Sequence, residues 1–178
     1  MKPDVFTIIF TVHFILMTEL LLHIAYTEYL SAEELDEKDR LLLSKAREAC
    51  KSAYAPYSRF YVGASVRLEN GMIITGNNQE NSAYPSGLCA ERVAIFAASS
   101  QHPGVAIESI AIAASTTDFG MQKPVTPCGG CRQVMAEYEN LSGKAIRIWM
   151  QGNNGLVWLV EGVHNLLPLM FQGEQLKI

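Results

Sequence analysis

The apolar positions change period several times after residue 30, and each change marks an element. Leu35, Leu41, Leu42, Ala46 and Ala49 recur at near-helical spacing, and Ser31 with Glu34 three residues on has the form of a capping box. A helix is therefore expected to end near Ser52, before the turn-rich stretch Tyr54-Ala55-Pro56-Tyr57-Ser58. Two short apolar runs follow, Tyr61 to Leu68 and Met72 to Thr75, joined through Asn70-Gly71, a strong hairpin signal. Residues 88–100 are Ala-rich and fit a helix, 107–114 read as a buried strand, and 129–141 as another helix. Strands are expected at 145–150 and 156–160, then a short helix near 163–167 that Pro168 stops. The order α-β-β-α-β-α-β-β-α predicts an α/β fold of three layers, α/β/α, around a mixed, roughly five-stranded sheet.

The first thirty residues follow a different pattern. From Val5 to Tyr26, 16 of 22 residues are apolar, and no charge falls between Asp4 and Glu19. The uncharged run would span roughly 21 Å as a helix, short of the roughly 30 Å hydrocarbon core. Reaching membrane length would bring Glu19 and His23 into the bilayer, which is costly. No small-x-small cleavage site follows, so a signal peptide fits imperfectly. A third reading takes Met17 as the functional start, with residues 20–27 as a short strand and the first 16 as a leader. Residues 1–30 are thus read as an apolar extension and 31–178 as one domain; a membrane partner is not expected.

Composition narrows the classes. A chain of 178 residues with 49% apolar and 18% charged residues suits one folded domain and excludes a disordered spacer. A net charge of −4 gives no general attraction to phosphate backbones, so no nucleic-acid partner is expected. Four cysteines are too few for a disulfide-dense secreted scaffold, and their spacing matters more than their number.

Cys89 lies in Cys-Ala-Glu, and Cys128 and Cys131 in Pro-Cys-Gly-Gly-Cys. The C-x-x-C pair alone fits a redox couple, half of a structural zinc site, or chance. The redox reading leaves Cys89 and Glu91 unexplained. Cys50 sits inside a predicted helix without paired spacing and reads as a small buried residue. Three thiolates with one open position have the form of a catalytic zinc site. Cys128 and Cys131 are i and i+3 at the start of one predicted helix and Cys89 lies at the start of another, so both positive helix ends point at one spot. Three thiolates make zinc a poorer Lewis acid, and Arg92, favoured over Arg132, would withdraw some of that charge. Glu91, two residues from a ligand, is the natural proton shuttle. None of His13, His23, His102 and His164 sits near either motif.

A ligand-x-Glu element followed by P-C-x-x-C is the documented pattern of the zinc deaminases, with three cysteines as one ligand set. Together with Ser52 to Ala64 (Ser-Ala-Tyr-Ala-Pro-Tyr-Ser-Arg-Phe-Tyr-Val-Gly-Ala), Asn78-Gln79-Glu80-Asn81 and Pro127 to Val134, these residues resemble the small, homotetrameric cytidine deaminase family over about residues 38–172. The resemblance implies a cytidine deaminase-like fold, one Zn²⁺ per chain held by Cys89, Cys128 and Cys131, and Glu91 as the catalytic residue. It implies hydrolysis of cytidine and 2′-deoxycytidine to the uridine products plus ammonia, in cytoplasmic pyrimidine salvage. Asn78 and Glu80 would bond the sugar hydroxyls, Phe60 would pack on the pyrimidine, and Ala90 and Glu91 would read the base edge. Tyr84 and Phe171 would reach a neighbouring subunit's active site in a homotetramer. Two departures stand out: residues 1–30 have no counterpart in the shortest members, and residues 118–124 are longer than in compact ones. Two alternatives stay open, a deaminase of an aminopyrimidine nucleoside antibiotic of the blasticidin S type and a non-enzymatic zinc or redox module.

Overall fold

The computed structural model describes residues 18–173, apart from 117, 119 and 122. The first 16 residues and Met17 lie outside the described residues, as do positions 119 and 122 of the 118–124 segment. The strands are β1 (Thr27–Tyr29), β2 (Tyr61–Leu68), β3 (Ile73–Asn77), β4 (Ile107–Ser115), β5 (Arg147–Gln151) and β6 (Val157–Glu161). They form one sheet in the order β1-β6-β5-β4-β2-β3. β4 and β5 run parallel and the other neighbours antiparallel, so the sheet is mixed, as expected.

The sheet has six strands rather than roughly five. The additional strand, Thr27–Tyr29, comes from the segment read as an extension, and it pairs with β6. Tyr26 stacks on Trp158 with ring centroids 5.0 Å apart, and Trp158 Nε1 donates to Glu28 Oε2 at 2.7 Å. The strand expected within 20–27 thus lies further along, and Leu20, Leu21, Leu22 and Ile24 before it are exposed.

Helix α1 (Glu37–Cys50) starts later than the capping box suggested. Ser31 and Glu34 do cap reciprocally, but the element they cap is a single 3₁₀ turn, Ala32–Glu34. Leu35 is extended and breaks the run, and Asp36 supplies a second cap by accepting from Asp39 N at 2.8 Å. The buried face is Leu42, Leu43, Ala46 and Cys50, whereas Leu41, placed on the apolar face by its spacing, is half exposed. Helices α2 (Ala90–Gln101) and α3 (Gly129–Ser142) fall within two residues of their expected bounds. The short helix expected near 163–167 is one 3₁₀ turn, Val163–Asn165.

Alternation along the central strands divides the core into two halves. Ile110 and Ile112 of β4, with Ile148 and Met150 of β5, pack toward α2 and α3. Ala111, Ala113 and Trp149 pack on the other face with Leu42, Leu43 and Ala46 of α1. Two glycines permit close approach of helix to sheet. A Cβ at Gly63 would lie 2.0 Å from Ala46 O of α1, and one at Gly76 would lie 2.4 Å from Ala94 N of α2. A buried ion cluster ties α1 to the sheet: Asp39 bridges Arg67 and Arg147, both at 2.8 Å, and Arg67 also meets Glu108 at 3.0 Å.

Candidate active site

The turn before α2 makes Cys89 its N-cap, and the turn before α3 makes Cys128 the N-cap of that helix, with Cys131 in the first turn. The helices start side by side, so three sulfurs meet. Cys89 Sγ lies 3.8 Å from Cys128 Sγ, which lies 3.5 Å from Cys131 Sγ, and all three are within 4.8 Å of one another. Tetrahedral zinc with Zn–S bonds of about 2.3 Å sets its sulfurs about 3.8 Å apart, so the three thiols fit that ion. Cys131 is buried at the base, Cys89 half-buried and Cys128 exposed, leaving one side open. Cys50 takes no part: it is buried at the end of α1 against β4, its thiol donating to Ala113 O at 3.2 Å.

The surroundings favour a thiolate at Cys89. A hydrogen bond from Cys131, followed by those from Arg92 and Cys128, outweighs burial and pulls the Cys89 thiol down to about 5. Cys131, the donor in that bond, is pushed the other way. Bound metal replaces both protons. Arg92 supplies the cation, with Nη2 3.8 Å from Cys89 Sγ. Arg132 turns away, donating to Pro127 O at 2.8 Å, Leu166 O at 2.7 Å and Thr126 Oγ1 at 3.2 Å. Glu91 is 4% exposed, and burial foremost, with the Cys89 thiolate after it, raises its pKa above the ordinary carboxylate range.

Beside the cysteines opens a cavity of about 660 Å³, within the range of small-molecule sites. Cys89, Cys128 and Arg92 lie along it together with Ala90 and Glu91, and Phe60, Asn78, Glu80 and Tyr84 line its other walls. Phe171 does not line it. That residue is exposed, its carbonyl accepting from Gln133 Nε2 at 2.9 Å. Apolar walls from Leu88, Ile112 and Val125, and the turn residues Tyr57 and Ser58, were not singled out by sequence. Ile112 and Val125 carry no signal beyond hydrophobicity, while Ser58 stands in the Pro-Tyr-Ser turn that the composition marked only as a turn.

The polar residues of the cavity also hold its frame. Asn78 Oδ1 accepts from Val62 N at 2.7 Å and Nδ2 donates to Phe60 O at 2.9 Å. Glu80 Oε2 accepts from Tyr57 N at 2.8 Å, and Oε1 accepts from the Ser58 hydroxyl. The Ser58 hydroxyl foremost, then the Tyr57 and Ser58 N–H groups, hold the Glu80 carboxyl below its ordinary range.

Residues 36–142, which contain the three cysteines and Glu91, match the cytidine and deoxycytidylate deaminase zinc-binding region. The chain belongs to this family. It is 39% identical to the cytidine deaminase of Halalkalibacterium halodurans over 138 residues, 78% of this chain and 97% of that one. It is 46% identical to the cytidine deaminase of Sporosarcina psychrophila over 100 residues, covering 56% and 68%. The crystal structure of the cytidine deaminase from Burkholderia pseudomallei superposes with a TM-score of 0.64 at 34% identity, covering 74% of this chain and 97% of that one. The resemblance read from the motifs is thereby borne out, together with the α/β fold. The deaminase family is one of zinc hydrolases, and in this member Cys89, Cys128 and Cys131 form a group able to hold the ion.

Proposed function

We propose that this deaminase-family chain removes the 4-amino group of cytidine by hydrolysis, giving uridine and ammonia, with 2′-deoxycytidine as a second substrate. The observation that carries the proposal is that one buried carboxyl, Glu91, lines the same cavity as Cys89 and Cys128, whose sulfurs form with that of Cys131 a group at zinc-binding spacing. Zinc in that position supplies Lewis acidity, which lowers the pKa of water toward 7. Glu91 takes the proton released as water adds at C4 of the ring and delivers it to N3. The same carboxyl then takes the proton of the new C4 hydroxyl and passes it to the amine as the C4–N bond breaks, so that the products balance as uridine and ammonia. Its raised proton affinity suits a group that must both accept and give a proton. Ala90 and Glu91 read the base edge, Phe60 packs on the ring, and Asn78 and Glu80 bind the sugar. Arg92 offsets the negative charge of the three thiolates.

The assembly we propose is a homotetramer with shared active sites. Tyr84 is 77% exposed and Phe171 64% exposed, and large aromatic side chains left open in this way favour cover by a second copy. Functional free thiols require a reducing compartment, which supports cytoplasmic pyrimidine salvage. Loss of cytosine absorbance on adding the zinc-loaded protein tests the activity. Glu91→Gln is expected to keep one zinc per chain and to lose about 10²- to 10⁴-fold in rate. A wild-type protein that holds zinc and turns over neither nucleoside overturns the proposal, and unchanged behaviour of Glu91→Gln favours a non-enzymatic zinc module.

A further inference from the structure

The segment between α1 and β2 holds one residue in the left-handed region. Arg59 has φ of 52°, a conformation that side-chain-bearing residues rarely adopt. It sets Phe60 on the cavity wall, and strain of this kind persists only where its surroundings hold it. On the β2 side, Asn78 fixes Phe60 O and Val62 N with both atoms of its amide. On the other side the holding group is Ser58. Its hydroxyl donates to Glu80 Oε1 and accepts from Phe60 N at 3.1 Å. One oxygen therefore joins the carboxylate at the sugar end of the cavity to the aromatic residue at the base end.

The count of lone pairs gives this link a consequence for recognition. An ionised carboxylate accepts about four hydrogen bonds. Tyr57 N and Ser58 N occupy Oε2 at 2.8 and 3.3 Å, and the Ser58 hydroxyl occupies one site on Oε1. The remaining site is on Oε1, and it can only accept. A group placed there must be a donor, which a sugar hydroxyl is and a hydrogen or an ether oxygen is not.

We infer that Ser58 is a positioning residue that orients Glu80 to accept from a sugar hydroxyl while holding Phe60 in place, and so sets discrimination for the sugar. The inference rests on the cytidine reading and adds a residue to it. Without the hydroxyl, Oε1 loses its anchor and the carboxylate is held through Oε2 alone, by Tyr57 N and Ser58 N, so its second oxygen is no longer fixed toward the sugar.

The test compares kcat/KM for cytidine with that for 1-methylcytosine, which keeps the base and replaces the sugar by a methyl group. Ser58→Ala is expected to raise KM for cytidine about tenfold, the effect of one charge-assisted hydrogen bond, with kcat changed less than about threefold. The ratio of the two kcat/KM values should fall about tenfold, because 1-methylcytosine never used the lost contact. Ser58→Thr, which keeps the hydroxyl, should restore the ratio. Ser58 is exposed, so truncation opens no core; should Ser58→Ala fail to fold, the near-isosteric Ser58→Cys repeats the measurement with a weaker donor. A wild-type ratio in a folded Ser58→Ala or Ser58→Cys protein overturns the inference alone. Absence of cytidine turnover by the wild type overturns the reading beneath it.

Discussion

Gly76→Ala tests whether the sheet sets the spacing of the sulfurs. A Cβ at position 76 would lie 2.4 Å from Ala94 N and 2.9 Å from Ala90 O, both backbone atoms of α2. Ordinary contact begins at 3.4 Å, so helix and strand must separate by about 1 Å. Backbone cannot rotate aside as a side chain would, and overpacking of this kind costs about 1–3 kcal/mol. For a chain of this size that lowers Tm by roughly 2–12 °C. The second effect is local. Cys89 caps the first turn of α2, and its sulfur is 3.8 Å from that of Cys128 on α3. Two Zn–S bonds reach at most about 4.6 Å, so α2 cannot retreat the whole distance with the ion still bridging. β3 is an edge strand and can yield outward, which shares the movement. Weaker zinc binding and a fall in kcat/KM of about 10²-fold are expected, the usual effect of displacing a site by 1 Å. The assays are thermal unfolding, zinc per chain after dialysis, and cytidine turnover. Gly71→Ala is the control: φ of 83° strains any side chain there, but nothing lies within 4 Å, so stability should fall while turnover per folded molecule holds. A Gly76→Ala protein with wild-type Tm and turnover would refute the close-packing argument. A lowered Tm with zinc and turnover intact would refute the coupling of β3 to the sulfurs.

Asp39→Ala removes the anion between Arg67 and Arg147; Arg67 is 6% exposed and keeps Glu108 and the Lys38 carbonyl, so urea unfolding should show a loss of about 3 kcal/mol, the lower end for a broken buried pair. Cys131→Ala should weaken zinc binding by at least about 100-fold in competition with a chelator, more than an outer partner contributes. Cys50→Ala should leave zinc and turnover unchanged and cost about 1 kcal/mol by denaturation, since its thiol hydrogen-bonds backbone carbonyls and otherwise packs in the core.

How much was legible differs from element to element for physical reasons. Cys128 and Cys131 could be paired because i and i+3 share a helix face whatever the fold does. Joining Cys89 to them needed a documented pattern, since a contact across 39 residues is made by packing alone. The choice between Arg92 and Arg132 rested on that packing too: the 3₁₀ turn at Val163–Asn165 brings Leu166 O to Arg132 and draws it from the sulfurs. At the N-terminus the signal was correct and its element was not. Ser31 and Glu34 form the box, yet the extended Leu35 ends the turn after three residues and Asp36 must start the helix again. β1 was misplaced because an unbroken apolar run shows no alternation, and what fixes Thr27–Tyr29 is Trp158, 130 residues from Glu28. Ser58 fell inside the Ser52–Ala64 segment that carries the resemblance, yet no role could be read for it, because a serine in a turn is ordinary and Glu80, 22 residues on, gives it one.

The caps of the helices bind stability and chemistry together. Ser31 and Asp36 satisfy the turns they open with side-chain oxygens, as stable helix starts generally do. Cys89 and Cys128 occupy the same position on α2 and α3 and make no side-chain cap bond. Serine or aspartate there would contribute about 1 kcal/mol each, and neither helix has it. What is left instead is two helix N-termini at one cluster of sulfurs, each equivalent to about half a positive charge. Three thiolates around a divalent ion carry a net charge near −1, so the two helix ends offset about all of it and Arg92 adds a full unit more. A capping carboxylate would reverse that balance at the point where the ion must remain electron-poor enough to acidify water. Helix starts that look incomplete by the standards of α1 are therefore what the zinc chemistry requires, and the stability they forgo has to come from the buried core they share on one face of the sheet.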